Sequence, residues 1–121
     1  MKVILFIGFF CMAIPAFAGL DIFPSSLSLG PIDLNYGRED RGSLRVYNNT
    51  KEDLDLYVQR ACGSEFRTFS TCHMLRAGSS CRIDVSFRPY NSGFFTCRIR
   101  VNDSSYTYSD SASVTGRAYR R

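Results

Sequence analysis

The residues that would do chemistry are few. Cys72 and His73 are adjacent, and His73 is the chain's one histidine. A Cys–His nucleophile needs a free thiolate within hydrogen-bond reach of the imidazole. Neighbours on a strand point to opposite faces, and the cysteine count favours oxidation of Cys72. One histidine also falls short of the multi-His sites of catalytic zinc. A glycosidase needs two carboxyls held across a cleft. Here Glu39-Asp40, Glu52-Asp53-Asp55 and Asp103 fall in turns or on wet strand positions, and read as solvated charge. Asp33, Asp40 and Asp103 are calcium-type ligands without calcium-loop spacing. There is no phosphate-cradling glycine loop and no serine elbow. The chain reads as a non-enzyme with no implied cofactor or metal.

The ends and the composition place it. Lys2 precedes an uncharged apolar run from Val3 to Ile14, then Pro15 and Ala16-Phe17-Ala18. That is the order of a cleaved export signal, with cleavage expected after Ala18. The run is short of the roughly 20 residues that span a bilayer, so cleavage leaves no membrane span. Residues 1–18 read as signal peptide, and 19–121 as one domain that is exported, periplasmic or extracellular. The net charge is +4, and +3 once Lys2 is removed. Almost all the basic residues are arginines balanced locally by acids, unlike the dense patch of a nucleic-acid binder. Asn48-Asn49-Thr50 and Asn102-Asp103-Ser104 match the glycosylation sequon, which matters only in a eukaryotic source.

The elements that must position these residues are strands. Apolar residues alternate in 43–48, 53–62, 81–88 and 95–101. Cys81, Ile83, Val85 and Phe87 oppose Arg82, Asp84, Ser86 and Arg88, which marks one buried and one wet face. Turn residues separate the runs at 36–37, 48–50, 77–79, 89–93 and 102–104. Short strands with frequent turns and no helix imply an all-β, immunoglobulin-like sandwich of about seven antiparallel strands. Residues 111–118 form the weakest strand signal, with Ala112, Val114 and Gly116 inward. The Ser-, Tyr- and Asp-rich stretch 104–113 reads as a loop or hairpin tip.

Losing Cys11 with the signal leaves Cys62, Cys72, Cys81 and Cys97, an even set that implies two disulfides in an exported chain. Their spacings are too long for paired zinc knuckles. Four cysteines allow three pairings. Strand phase favours Cys72–Cys81, closing a hairpin-like unit, and Cys62–Cys97, tying two strands.

Several of these features together resemble the ASH/MSP-like immunoglobulin domains of secreted bacterial proteins, often called choice-of-anchor D domains. They are Phe23-Pro24 with the following Ser-Leu run to Gly30, the strand Arg45-Val46-Tyr47-Asn48-Asn49, and Val114-Thr115-Gly116. The most specific is Cys72, then Ala77-Gly78-Ser79-Ser80-Cys81, then Ile83, Val85, Phe87, Pro89 and Gly93. The resemblance covers nearly all of 19–121. It implies a seven-stranded sandwich used for adhesion, scaffolding or assembly, with no catalytic residues. The second cysteine pair, Cys62 and Cys97, is not a family feature.

Two features suit binding. Tyr106, Tyr108 and Tyr119 lie near the terminal arginines, and Tyr and Arg make good contacts at modest entropic cost. Arg82 and Arg88 on one strand, with Arg98 and Arg100 on another, would form an arginine ladder if those strands pair. The expected function is a non-enzymatic interaction, adhesion or scaffolding domain of the bacterial envelope or surface. Its partner would be an envelope or surface protein or glycan, with no nucleic acid. The alternative is a subunit that self-assembles into a fibre, coat or homo-oligomer through its edge strands.

Overall fold

The computed structural model describes residues 19–36 and 39–120. The expected signal segment and its cleavage point lie outside these, as do Gly37, Arg38 and Arg121. The strands are β1 (Leu20–Phe23), β2 (Ser26–Asp33), β3 (Asp40–Asn48), β4 (Leu54–Ala61), β5 (Phe66–Ser70), β6 (Met74–Leu75), β7 (Ser80–Phe87), β8 (Gly93–Asp103) and β9 (Ser109–Tyr119). One 3-10 turn, Leu34–Tyr36, follows β2. No helix among the described residues is long and apolar enough to cross a membrane.

Alternation drives the architecture. In β3, Leu44 and Val46 are buried while Arg45 and Tyr47 are exposed; β7 and β8 repeat the pattern. Each strand thus has one face that must leave water, and two sheets close on each other. One sheet has the order β1-β3-β7-β5 and the other β2-β9-β8-β4-β6. This is the immunoglobulin-like sandwich expected from the sequence. β1 and β2 are one run that changes sheet at Pro24 and Ser25, and β6 is only two residues, so seven long runs count as nine strands. One pairing departs from the expected antiparallel set: β2 runs parallel to β9. A run that leaves the first sheet at β1 meets the last strand along its own direction.

The core is aliphatic with an aromatic centre. Leu44, Val46, Ile83, Val85, Ile99, Val101 and Val114 are at most 1% exposed. Phe87 packs on Phe66 at 5.0 Å and on Phe95 at 5.8 Å between ring centroids. Residues 104–113 are not all loop: only 104–108 are, and β9 begins at Ser109. Its hydroxyls occupy the wet phase while Ala112, Val114, Gly116 and Ala118 occupy the buried one.

Two disulfides each tie neighbouring strands of one sheet: Cys62–Cys97 at the end of β4 and on β8, with Cα atoms 4.5 Å apart, and Cys72–Cys81 just past β5 and on β7, at 5.2 Å. The second does not close a simple hairpin. Between its cysteines the chain leaves the first sheet, lends Met74 and Leu75 to β4 in the second, and returns. By the chain-entropy account the bridges contribute roughly 2–4 kcal/mol each, the 35-residue loop more than the 9-residue one. Two bridges in so small a domain mark an oxidising, exported environment.

Candidate functional site

The sheets present two wet faces, and the expected arginine ladder is split between them. Arg82 lies on β7 and Arg98 and Arg100 on β8, which belong to different sheets. Arg88 follows β7 at one end of the sandwich, while Tyr106 sits in the loop at the other. The six residues therefore do not form one surface. Alternation gives each strand's wet face correctly, but β7 pairs with β3 and β5, never with β8.

Tyr106 is 68% exposed with φ of 58°. Tyr108 is instead half-buried against the core. Their loop is organised by Asp103, which is only 4% exposed. Its carboxylate accepts from the Tyr108 amide at 2.8 Å and the Ser105 hydroxyl at 2.6 Å. Burial alone would raise its pKa, but the Ser105 hydroxyl and nearby amides outweigh it and hold the carboxyl below its ordinary value. The loop's stabilisation is therefore complete above the ordinary aspartate range and lost as pH falls from that range down through the carboxyl's lowered value in the fold. Asp103→Asn is expected to lower the melting temperature at pH 6 and to close most of that gap near pH 2. Thermal melts at both pH values check this.

Asp40, Asp53 and Glu39 also have structural partners. Asp40 accepts from the amides of Gly30 at 2.8 Å and Arg41 at 2.9 Å. Asp53 accepts from Ala77 at 3.0 Å. Glu39 pairs with Arg41 at 2.8 Å. Asp33 and Asp103 lie at opposite ends of the second sheet, so the three calcium-type aspartates do not converge. No group of three or more His, Cys, Asp or Glu among the described residues could hold a metal. Cys72 is in a disulfide and His73 is exposed.

What does converge is the outer face of the four-stranded sheet. Register sets its rows. Phe23, Arg45 and Arg82 stand in one; Ser43, Asp84 and Phe69 in the next; Arg41, Ser86 and Arg67 in the third. Phe23 and Phe69 are 68% and 69% exposed, with Tyr47 beside Phe23. Arg41, Ser43, Arg67, Phe69, Arg82 and Asp84 line a shallow depression of about 690 Å³. Asp84 centres it, accepting from Ser43 at 2.8 Å and pairing with Arg82 at 3.0 Å. Arg45 faces Arg82 directly across β3 and β7, a like-charge pairing that disfavours the sheet. Asp84 offsets Arg82, while Arg45 has only the Ser80 hydroxyl at 3.3 Å. A carboxylate arriving over Arg45 would relieve that repulsion. Only Arg82 of this face was picked out from sequence. Arg41, Arg45 and Arg67 lie on strands whose pairing with β7 no local pattern states.

The sheet edges are interrupted. The Ile22 amide on β1 is taken by Asp110 at 2.8 Å, and Gly30 on β2 by Asp40. Arg60 donates to the Phe66 carbonyl on β5 at 2.8 Å, and the Leu56 amide on β4 bonds the His73 carbonyl at 2.9 Å. On β1 and β2 the bond falls within the row that an added strand would use, while on β5 and β4 it falls at the start of the strand.

No protein-family model matches the chain, and no curated protein matches it by sequence. Solved structures do. The ASH/PapD-like domain 7 of human CEP192 superposes with a TM-score of 0.69 at 12% identity, covering 88% of this chain and 89% of that one. WR4, an MSP family member of C. elegans, gives 0.58 at 10% identity, covering 84% and 99%. The secreted serine protease VesC of Vibrio cholerae gives 0.59 at 16%, covering 83% of this chain but 23% of the protease. At these identities the likeness is one of fold: the chain has the ASH/PapD-like and MSP immunoglobulin-like fold.

Proposed function

We propose that the chain is an exported, non-enzymatic interaction domain of the bacterial cell envelope or surface, of the choice-of-anchor D kind, that grips a protein partner through the outer face of its four-stranded sheet. One observation carries this reading: four arginines interleaved with exposed Phe23, Tyr47 and Phe69 on a rigid sheet. Arginine and aromatic anchors dominate protein interfaces because they bury large area and pair bidentately with carboxylates. The partner surface that fits is acidic with an apolar knob. The two disulfides support an exported setting. Interrupted edges favour binding by a face over strand addition or self-assembly through edges.

The test compares the purified chain with Phe69→Ala/Arg67→Ser as baits on envelope extract, with native mass spectrometry of each. The expected result is a monomer that retains a defined protein, with retention reduced about tenfold or more in the variant, as loss of hot-spot contacts requires. Equal retention by both baits, or a ladder of oligomers from the chain alone, would overturn the reading.

A further inference from the structure

We propose that the opposite face, the outer surface of the five-stranded sheet, is a separate binding surface for a linear anionic polysaccharide. It carries Arg98 and Arg100 on β8 and Arg117 on β9, all exposed. Arg98 and Arg100 stand two residues apart, about 7 Å along the strand. Arg117 lies opposite Phe94, four residues from Arg98 and one strand over. The three charges therefore mark a track of about 20 Å along the sheet.

Between them and on the β9 and β2 side the outward positions are hydroxyls: Ser26, Ser28, Thr96, Ser111, Ser113 and Thr115; on the β4 side Ala61 and Gln59 stand opposite Arg98 and Arg100. Ser28 and Thr115 lie 3.4 Å apart across β2 and β9, and Arg98 donates to Ser111 at 3.5 Å. No carboxylate stands among these positions. Asp110 turns to the Ile22 amide and Asp103 into its loop, while Asp55 on β4 and Asp33 on β2 stand beyond the two ends of the track. Among the described residues neither ion pair involves these arginines, whereas Arg41 and Arg82 on the other face are both paired. Along the track itself the arginines have no carboxylate between them, and on the β9 and β2 side they are set in groups that both donate and accept.

That chemistry selects among polyanions. Serine and threonine hydroxyls match the hydroxyls of a sugar chain, and guanidinium forks match its carboxylates or sulfates. A membrane surface calls for a denser basic cluster and for apolar side chains entering the headgroup layer. Here the positions between the arginines and on their β9 and β2 side are hydroxyls, and those on β4 are Ala61 and Gln59. A single-stranded nucleic acid calls for aromatic platforms along the track. Phe94 stands at one end, already covered by Arg117 at 5.7 Å, and Tyr57 stands past the other end, with no aromatic between them.

The test is titration of the purified chain with polygalacturonate at low salt. Dextran, phosphatidylglycerol vesicles and oligo-dT serve as rivals. Saturable binding that weakens as salt rises is expected. The variant Arg98→Ser/Arg100→Ser/Arg117→Ser should bind about tenfold or more weakly, each exposed contact supplying a factor of a few. Lys51→Ser/Arg76→Ser, which removes two exposed charges from loops outside both faces, should bind as the parent does. If circular dichroism shows the triple variant unfolded, the single variants Arg98→Ser and Arg100→Ser decide, each with a partial loss expected. No binding of polygalacturonate, equal binding of dextran, preference for vesicles or oligo-dT, or an equal loss in the Lys51/Arg76 control would overturn the proposal.

Discussion

Replacing Asn48 with alanine is expected to destabilise the fold by about 3–5 kcal/mol, since buried groups left without partners cost about 1–3 kcal/mol each. Asn48 closes β3 and is fully buried. Its amide donates to the carbonyls of Glu52 at 2.8 Å and Leu75 at 2.9 Å. Its side-chain oxygen accepts from the Thr50 amide at 3.0 Å and the Thr50 hydroxyl at 2.6 Å. Its backbone bonds Ser79 and Gly78 in the turn before β7. One side chain thus holds the β3–β4 loop and the end of β6. Urea melts should show the loss for Asn48→Ala and a smaller one for Thr50→Ala, which removes a single partner of the network. A cost below about 1 kcal/mol for Asn48→Ala, the size of an ordinary surface change, would refute this account. The same burial closes Asn48 to glycosylation despite its sequon.

Asn48 also shows how far sequence reaches. An Asn-Asn-Thr turn after an alternating strand is visible locally, but the Leu75 carbonyl it needs comes from 27 residues away. The strands legible in advance were those with apolar residues on one phase, such as β7 and β8. β5 was missed because its inward phase reads Phe66, Thr68, Ser70, with one apolar residue. β2 was missed because Gly30 and Pro31 break its alternation. The cysteine pairs could be read from phase because Cys81 and Cys97 fall on inward positions of strong strands. The structure joins Cys72–Cys81 and Cys62–Cys97.

The candidate face was less legible, for a physical reason. Alternation states that Arg82 and Arg98 are wet, but which wet residues share a surface is decided by sheet membership. Sheet membership rests on long-range pairing such as Arg45 with Arg82. The arginines that accompany Arg82 lie on β3 and β5, not β8, and the aromatics between them are Phe23, Tyr47 and Phe69. None of these carries a local signal beyond exposure. A resemblance that fixes the sandwich assigns each strand to a sheet in principle, yet it leaves the chemistry of each face to this chain's own residues.

Gly116 and Phe87 make the sharpest claim about the core, because their effects should not add. An added Cβ on Gly116 would fall 2.5 Å from the tip of the Phe87 ring, closer than packed atoms approach. That ring is fully buried between Phe66 and Phe95, so it has nowhere to turn. Gly116→Ala is therefore expected to cost about 1–3 kcal/mol as overpacking, and Gly116→Val more. Phe87→Ala should cost about 3–5 kcal/mol through the cavity it leaves. The combination Phe87→Leu/Gly116→Ala should be more stable than the sum of its singles predicts, by about 1 kcal/mol or more, because each change makes room for the other. Urea melts of the four proteins close the cycle. Additive costs would mean that the β9 backbone shifts away from the ring at little expense, and that the sheets meet less tightly at this point than the 2.5 Å approach requires.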